Sequence, residues 1–278
     1  MVEPLFVERD GHRTWIKWHR ARRRGSDPAF LGRRVIEGMR LGASVEVDLV
    51  VHGGEGFAIL HDLTLDRETT GTGPVREAGP EALRGLHMRG NDGAALPDTV
   101  MLLEDLCALL RSEPPHADAL LQLDYKEDMA ALGVGAIANF AAAVTPVAGN
   151  MIVSGGDMAA IDALAAATPG LCTGYDPCDG EKLAQLRASG DFSRFISEAL
   201  ETAPGAEMIY LDYAIVLAAE AAGFDIVAPV HAAGRRVDAW TIRRIDQAGL
   251  AAIERLVALK VDQITTDDPE GLATALAS

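Results

Sequence analysis

The sequence predicts an α/β fold: a closed (β/α)8 barrel of the TIM type with an insertion after its second strand. Three observations carry this reading. Short β-rich apolar runs recur along the 278 residues, Ala/Leu-rich helical patterns lie between them, and the alternation is broken once, at 57–98. The length suits one such barrel, so 1–278 is read as a single domain.

Candidate strands fall at 14–19, 43–51, 119–126, 151–154, 171–175, 208–213, 236–242 and 261–265. Helical patterns occupy 28–41, 100–111, 129–144, 157–167, 180–189, 215–222 and 250–259. Strand–helix alternation of this kind favours a parallel sheet closed on itself. No Gly-x-Gly-x-x-Gly or P-loop sequence opens any of the helices, which weakens an open doubly wound sheet. The interval 57–98 is rich in Gly, Thr, Pro and charge and is too long for an ordinary βα loop. Barrels accept such excursions at the C-terminal ends of their strands, where active sites are built.

Hydrophobic residues make up 49% and charged residues 24%, which excludes a disordered chain. Lys and Arg number 25 against 41 acids, a net charge of -16. That field repels nucleic acid and anionic membrane surfaces, so the expected partner is a small molecule. An anionic substrate would need cations gathered locally. Residues 1–13 hold no signal-like apolar stretch and no run approaches a membrane span, so a cytoplasmic protein is expected. Cys107, Cys172 and Cys178 are read as reduced thiols. Oligomeric state is not readable.

Glu46 and Asp48 stand two apart in a strand pattern and therefore share a face. Barrel strands are covered outside by helices, so two acids on one face point inward and need a cation or a shared proton. Asp124 and Lys126 repeat the pattern on the third strand. Three hard oxygen donors suit a divalent metal, Mg²⁺ or Ca²⁺; the bland reading is a structural ion pair with Lys126. His19 and Arg20 end the first strand and His61 follows the second. Two imidazoles at one barrel mouth suit general acid–base work, and Arg20 or Lys126 can hold an anionic oxygen. Lys17 shares a strand face with His19, so it is expected inward near the acids. Arg22, Arg23 and Arg24 add to the local positive charge but read somewhat better as a solvated turn before a helix than as substrate contacts. Trp240 on the seventh strand either packs a substrate's carbon skeleton or fills the core; Asp238 faces the same way.

These residues resemble the glycerophosphodiester phosphodiesterase family in order and spacing. Leu41-Gly42-Ala43-Ser44-Val45-Glu46-Val47-Asp48 is similar to its glycine-alanine and Glu-x-Asp segment. The stretch from Phe57 through His61-Asp62 and Arg67 to Thr69-Thr70-Gly71 resembles its His-Asp and Arg-x-Thr elements. His19-Arg20, Leu96-Pro97, Asp124-Tyr125-Lys126, Trp240-Thr241 and Asp267-Asp268-Pro269 resemble its remaining motifs, so the likeness spans about residues 16–269. It implies a metal-dependent barrel with His19 and His61 as the acid/base pair and Glu46, Asp48 and Asp124 as metal ligands. Arg20 and Lys126 would hold phosphate, and a hydroxyl of the substrate would be the first nucleophile. Three departures stand out. Ala21 replaces a family Gly; Asp27-Pro28-Ala29-Phe30 replaces Pro-Glu-Asn-Thr; Asp124 stands where Glu is usual. The expected activity is hydrolysis of a glycerophosphodiester to an alcohol and glycerol 3-phosphate or a related polyol phosphate. The rivals are a sphingomyelinase D-like lyase releasing a cyclic phosphate and a barrel that binds a phosphorylated polyol without turnover.

Overall fold

A computed structural model describes residues 5–178 and 181–276 and shows eight parallel strands closed into a ring. They are β1 (His12–Trp18), β2 (Ser44–Val51), β3 (Leu120–Tyr125), β4 (Met151–Gly155), β5 (Cys172–Tyr175), β6 (Met208–Asp212), β7 (Arg236–Ile242) and β8 (Gln263–Thr266). Closure runs through β8 and β1, where Gln263 faces Trp15 and Thr266 faces Trp18. The β1–β2 seam is short, pairing only Lys17 with Ser44 and Trp18 with Val45.

All eight residues of β2 are buried, because alternate side chains meet the helices outside and the barrel interior. Val45, Val47 and Leu49 join the apolar layer between strands and helices. Ser44, Glu46 and Asp48 occupy the opposite face and point inward. The interior they enter is a polar network. Gln263 Nε2 donates to Ser44 Oγ at 2.6 Å, Gln122 Nε2 to Ser154 Oγ at 2.8 Å, and Ser154 Oγ to Asp124 at 2.9 Å. Most buried polar groups find such a partner, which is why one inward amide or hydroxyl calls for another.

Several expected boundaries shift. β1 ends at Trp18, one residue early, and His19–Ala21 form a 3-10 turn with Arg20 at φ 52° and Ala21 at φ 56°. His19 is therefore outside the strand and does not share its face with Lys17 by alternation. The pattern at 129–144 breaks into a 3-10 turn, Met129–Ala131, and a helix, Val134–Val144. Gly133, extended at ψ 165°, separates them. The helix expected from 180 runs Lys182–Ser189, with Gly180 itself outside the described residues. Helices Phe192–Thr202, Val227–Ala232 and Pro269–Leu276 were not anticipated. The interval 57–98 carries structure of its own. Phe57–Ile59 pairs antiparallel with the end of β2, a short helix spans Pro80–Arg84, and His87–Arg89 pairs with Ala95–Thr99. No helix of the described residues is long and apolar enough to cross a membrane.

Candidate active site

The functional side chains gather where the strands end, the C-terminal mouth of the barrel. Register brings the acids together: Asp48 on β2 lies directly opposite Asp124 on β3, and Glu46 is one inward position below. Ligand oxygens of Glu46, Asp48 and Asp124 all lie within 4.8 Å of one another. Asp48 is completely buried. Its charge is met by ion pairs, with Lys126 Nζ at 2.6 Å and Arg20 Nε at 3.2 Å. Lys126 also pairs with Asp124, and the Arg20 backbone N–H donates to Glu46 Oε2 at 2.6 Å. Both cations line the cavity, as a phosphate-holding role requires, but in this structure Arg20 is engaged by Asp48 and Lys126 by Asp124 and Asp48.

Electrostatics shows what the cluster lacks. Burial would raise the Asp48 carboxyl, yet Lys126 and then Arg20 hold it down at about 2. Glu46 goes the other way: burial and the adjacent Asp48 charge push it well above the ordinary range, despite Lys126. Two neighbouring cations thus do not suffice to ionise all three acids. An added divalent cation would, and three carboxylates are the hard donors that Mg²⁺ and Ca²⁺ prefer. The residues present fit such an ion.

Both predicted imidazoles line the same cavity. His19 Nδ1 meets Asp267 Oδ1 at 2.6 Å, and Arg22 secures that carboxylate at 3.0 Å. His61 Nδ1 meets Asp62 Oδ1 at 2.8 Å; Arg67 grips Asp62 with two nitrogens, each at 2.6 Å. Glu68 accepts the backbone N–H groups of His61 and Asp62 at 2.9 and 3.1 Å. A carboxylate on Nδ1 favours the proton there and leaves Nε2 for chemistry. Burial lowers the His19 pKa below its usual 6.5, against the raising influence of Asp267. Asp62 is held at about 2, chiefly by the Arg67 hydrogen bonds, with burial opposing.

Lys17 is inward and almost fully buried, as expected, but its charge belongs elsewhere. It pairs with Asp238 at 3.0 Å, bonds Gln122, and sits 4.4 Å from the Tyr210 ring centroid. It therefore forms the floor of the cavity and does not serve the three acids. Trp240 lines the cavity wall with its indole N–H unpartnered among the described residues. Asp238 shares its face but is committed to Lys17 and Thr265. Arg23 pairs with Glu37 and Glu270, and Arg24 with Glu270, so both brace the loop after β1. All three cysteines are free thiols.

The departures from the family pattern acquire physical content. Ala21 adopts a left-handed conformation at φ 56°, which costs an L-residue on the order of 1 kcal/mol that glycine would avoid. In the loop at 27–30, the Phe30 N–H donates to the Arg20 carbonyl at 2.9 Å, and its ring lies 5.7 Å from the Arg20 guanidinium. Asp27 accepts from Arg34 at 3.0 Å and from the backbone N–H groups of Arg23 and Arg24. This loop thus shapes and supports the Arg20 turn. Asp124, despite its shorter side chain, still joins the cluster.

Sequence reasoning missed Asp267 as the partner of His19, Asp176 and Arg243 in the cavity wall, and the Arg67–Glu68 brace. Asp267 was findable, since barrel closure sets the end of the eighth strand beside the end of the first. Asp176 gave no local signal; burial pushes it up to about 8, with the Asp124 charge adding to the effect and a hydrogen bond from Cys178 opposing it.

Fold and site together define a (β/α)8 barrel with a three-carboxylate cluster and two carboxylate-braced histidines at its mouth. Among solved structures, the same fold occurs in glycerophosphodiester phosphodiesterases. A protein of Agrobacterium tumefaciens assigned as a glycerophosphoryl diester phosphodiesterase is 23% identical, with a TM-score of 0.69 over 95% of this chain and 96% of that one. An Oleispira antarctica phosphodiesterase, solved with the product sn-glycerol-3-phosphate, is 19% identical, with a TM-score of 0.67 over 95% and 96%. A Thermotoga maritima glycerophosphodiester phosphodiesterase is 19% identical, with a TM-score of 0.63 over 95% and 99%. No protein-family model matches the chain, and no curated protein matches its sequence.

Proposed function

We propose that the chain is a metal-dependent glycerophosphodiester phosphodiesterase working by His/His acid–base catalysis. One observation carries this: two imidazoles, each braced through Nδ1 by a carboxylate, line one cavity with Glu46 and Asp124 of the three-acid cluster. The fold shared with phosphodiesterases, one of them holding sn-glycerol-3-phosphate, supports it.

Glu46, Asp48 and Asp124 would hold the Mg²⁺ or Ca²⁺, which when bound would polarise the phosphoryl group and ease loss of a hydroxyl proton. The neutral His19 accepts the proton of the attacking substrate hydroxyl at Nε2. As the new P–O bond forms, the ester bond to the alcohol breaks, and His61 delivers a proton to the departing oxygen. Water then opens the cyclic phosphate with the two roles reversed. Asp267 and Asp62 keep the rings oriented. Arg20 and Lys126 set positive charge against the phosphate oxygens, supplying locally what the net charge withholds. Trp240 packs the carbon skeleton. We read residues 1–278 as a single barrel domain whose excursion at 57–98 delivers His61. The free thiols fit a reducing compartment such as the cytoplasm.

A panel of glycerophosphodiesters with Mg²⁺, Ca²⁺ or chelator, followed by phosphorus NMR, tests the reading. Glycerol 3-phosphate should appear with metal and vanish with chelator. A cyclic phosphate that persists would favour the lyase, and binding without product the non-catalytic barrel.

A further inference from the structure

A second cavity, of about 750 Å³, meets the catalytic one along Trp240, Thr241 and Arg243, which line both. It extends past Arg244 and Tyr213 toward the helices Tyr213–Ala221 and Gln247–Ala258. Its volume suits a ligand portion larger than a simple amino alcohol. The Arg243–Arg244 loop is held in place by close packing, since a Cβ on Gly249 would lie 2.0 Å from the Arg244 carbonyl oxygen.

The charges of this cavity are unevenly committed. Asp212 and Asp246 accept from the backbone N–H groups of Ala214 and Gly249, at 2.8 and 2.9 Å, as helix caps. Arg255 is closed on Glu220 at 2.7 Å. Among the described residues, the guanidinium groups of Arg243 and Arg244 make no hydrogen bond or ion pair and stand exposed at the opening. The cavity on the far side of Arg20 is basic too, but there Arg22 is held by Asp267, Arg67 by Asp62 and Glu68, and Arg89 by two carbonyls. An anion entering that side would have to displace existing partners; one entering beside Arg243 would not.

We infer that the cavity beside Trp240 is the alcohol-side subsite, and that it selects an alcohol of sugar or polyol size bearing its own phosphate or carboxylate. Arg243 and Arg244 bind that anionic group while Trp240 and Tyr213 offer aromatic faces to the ring. This rests on the diesterase reading above and specifies its substrate.

The test compares kcat/KM for three diesters: glycerophosphoinositol 4-phosphate, glycerophosphoinositol and glycerophosphocholine, with a carboxylate-bearing sugar analogue separating phosphate from carboxylate. The phosphorylated diester should exceed the choline diester by about tenfold or more, as charge-assisted bonds to two guanidiniums allow. The preference should shrink with added salt, because both arginines are exposed. In the Arg243→Ala/Arg244→Ala double variant, with its melting temperature checked, the ratio should collapse toward one. Equal rates on all diesters, a preference for choline, or a ratio that survives the double variant would overturn the inference and leave the diesterase reading intact. Failure of the wild-type protein to cleave any diester would overturn both.

Discussion

The His19–Asp267 and His61–Asp62 pairs put most of the proposed chemistry into four side chains. Replacing either histidine by alanine should lower turnover by at least about 100-fold, measured as kcat on the best diester; near-wild-type turnover in one variant would remove that residue from the mechanism. Asp267 acts through its histidine. The Asp267→Asn variant should lose at least about 10-fold in kcat/KM, and up to about 10⁴-fold if the amide fixes the wrong tautomer of the imidazole. It should also leave a signature that a merely structural role would not. Burial already lowers the His19 pKa and Asp267 opposes this, so removing the carboxylate moves the pKa lower still. The acid limb of the kcat/KM profile, where His19 becomes protonated, should therefore shift to lower pH.

Single elements position these residues. The helix Gly32–Leu41 can lie against β1 and β2 because Gly38 has no side chain: a Cβ there would stand 2.6 Å from Val45 Cγ2 and 3.3 Å from the Trp18 ring. Gly38→Ala gains helix propensity but overpacks that contact, so a net loss of about 1–2 kcal/mol and a melting temperature a few degrees lower are expected in calorimetry. The excursion at 57–98 depends instead on charge. Asp62 is depressed to about 2 from 3.8 by Arg67, so in the folded state it stays ionised where the unfolded chain takes up a proton. Its contribution is fully present above about pH 4 and is lost as pH falls toward 2. The melting-temperature difference between wild type and Arg67→Ala should accordingly be largest above pH 4 and close over that window. A difference constant with pH would mean that Arg67 acts by packing alone.

Over the whole molecule the balance is acidic, and the acids converge where a cation would serve. An ion that binds the folded chain and not the unfolded one adds about 2.7 kcal/mol at 100 times its Kd. Mg²⁺ or Ca²⁺ should thus raise the melting temperature by several degrees at pH 7, chelator should reverse the rise, and Asp48→Asn should abolish it. Because Glu46 tends to keep its proton, binding must release it, and the stabilisation should weaken as the pH is lowered. Thermal shift reads this without substrate, so metal binding and turnover are tested separately.

The amino-acid sequence determined the strand–helix alternation, the shared inward face of Glu46 and Asp48, and the motif order that pointed to His19 and His61. Those features are local, set by two-residue and near-four-residue periodicities and by spacing along the chain. Tertiary structure alone decided which charges neutralise which. Lys17 looked equally able to serve the acids, and only the closed ring, which sets β7 one strand beyond β8, gave it to Asp238. Arg20 and Lys126 met on Asp48 because β1 and β3 flank β2 in the closed ring. His19 found Asp267 across 248 positions in sequence, since ring closure sets the last strand beside the first. Electrostatic pairing depends on distance in space and on burial, and neither is written in the order of residues.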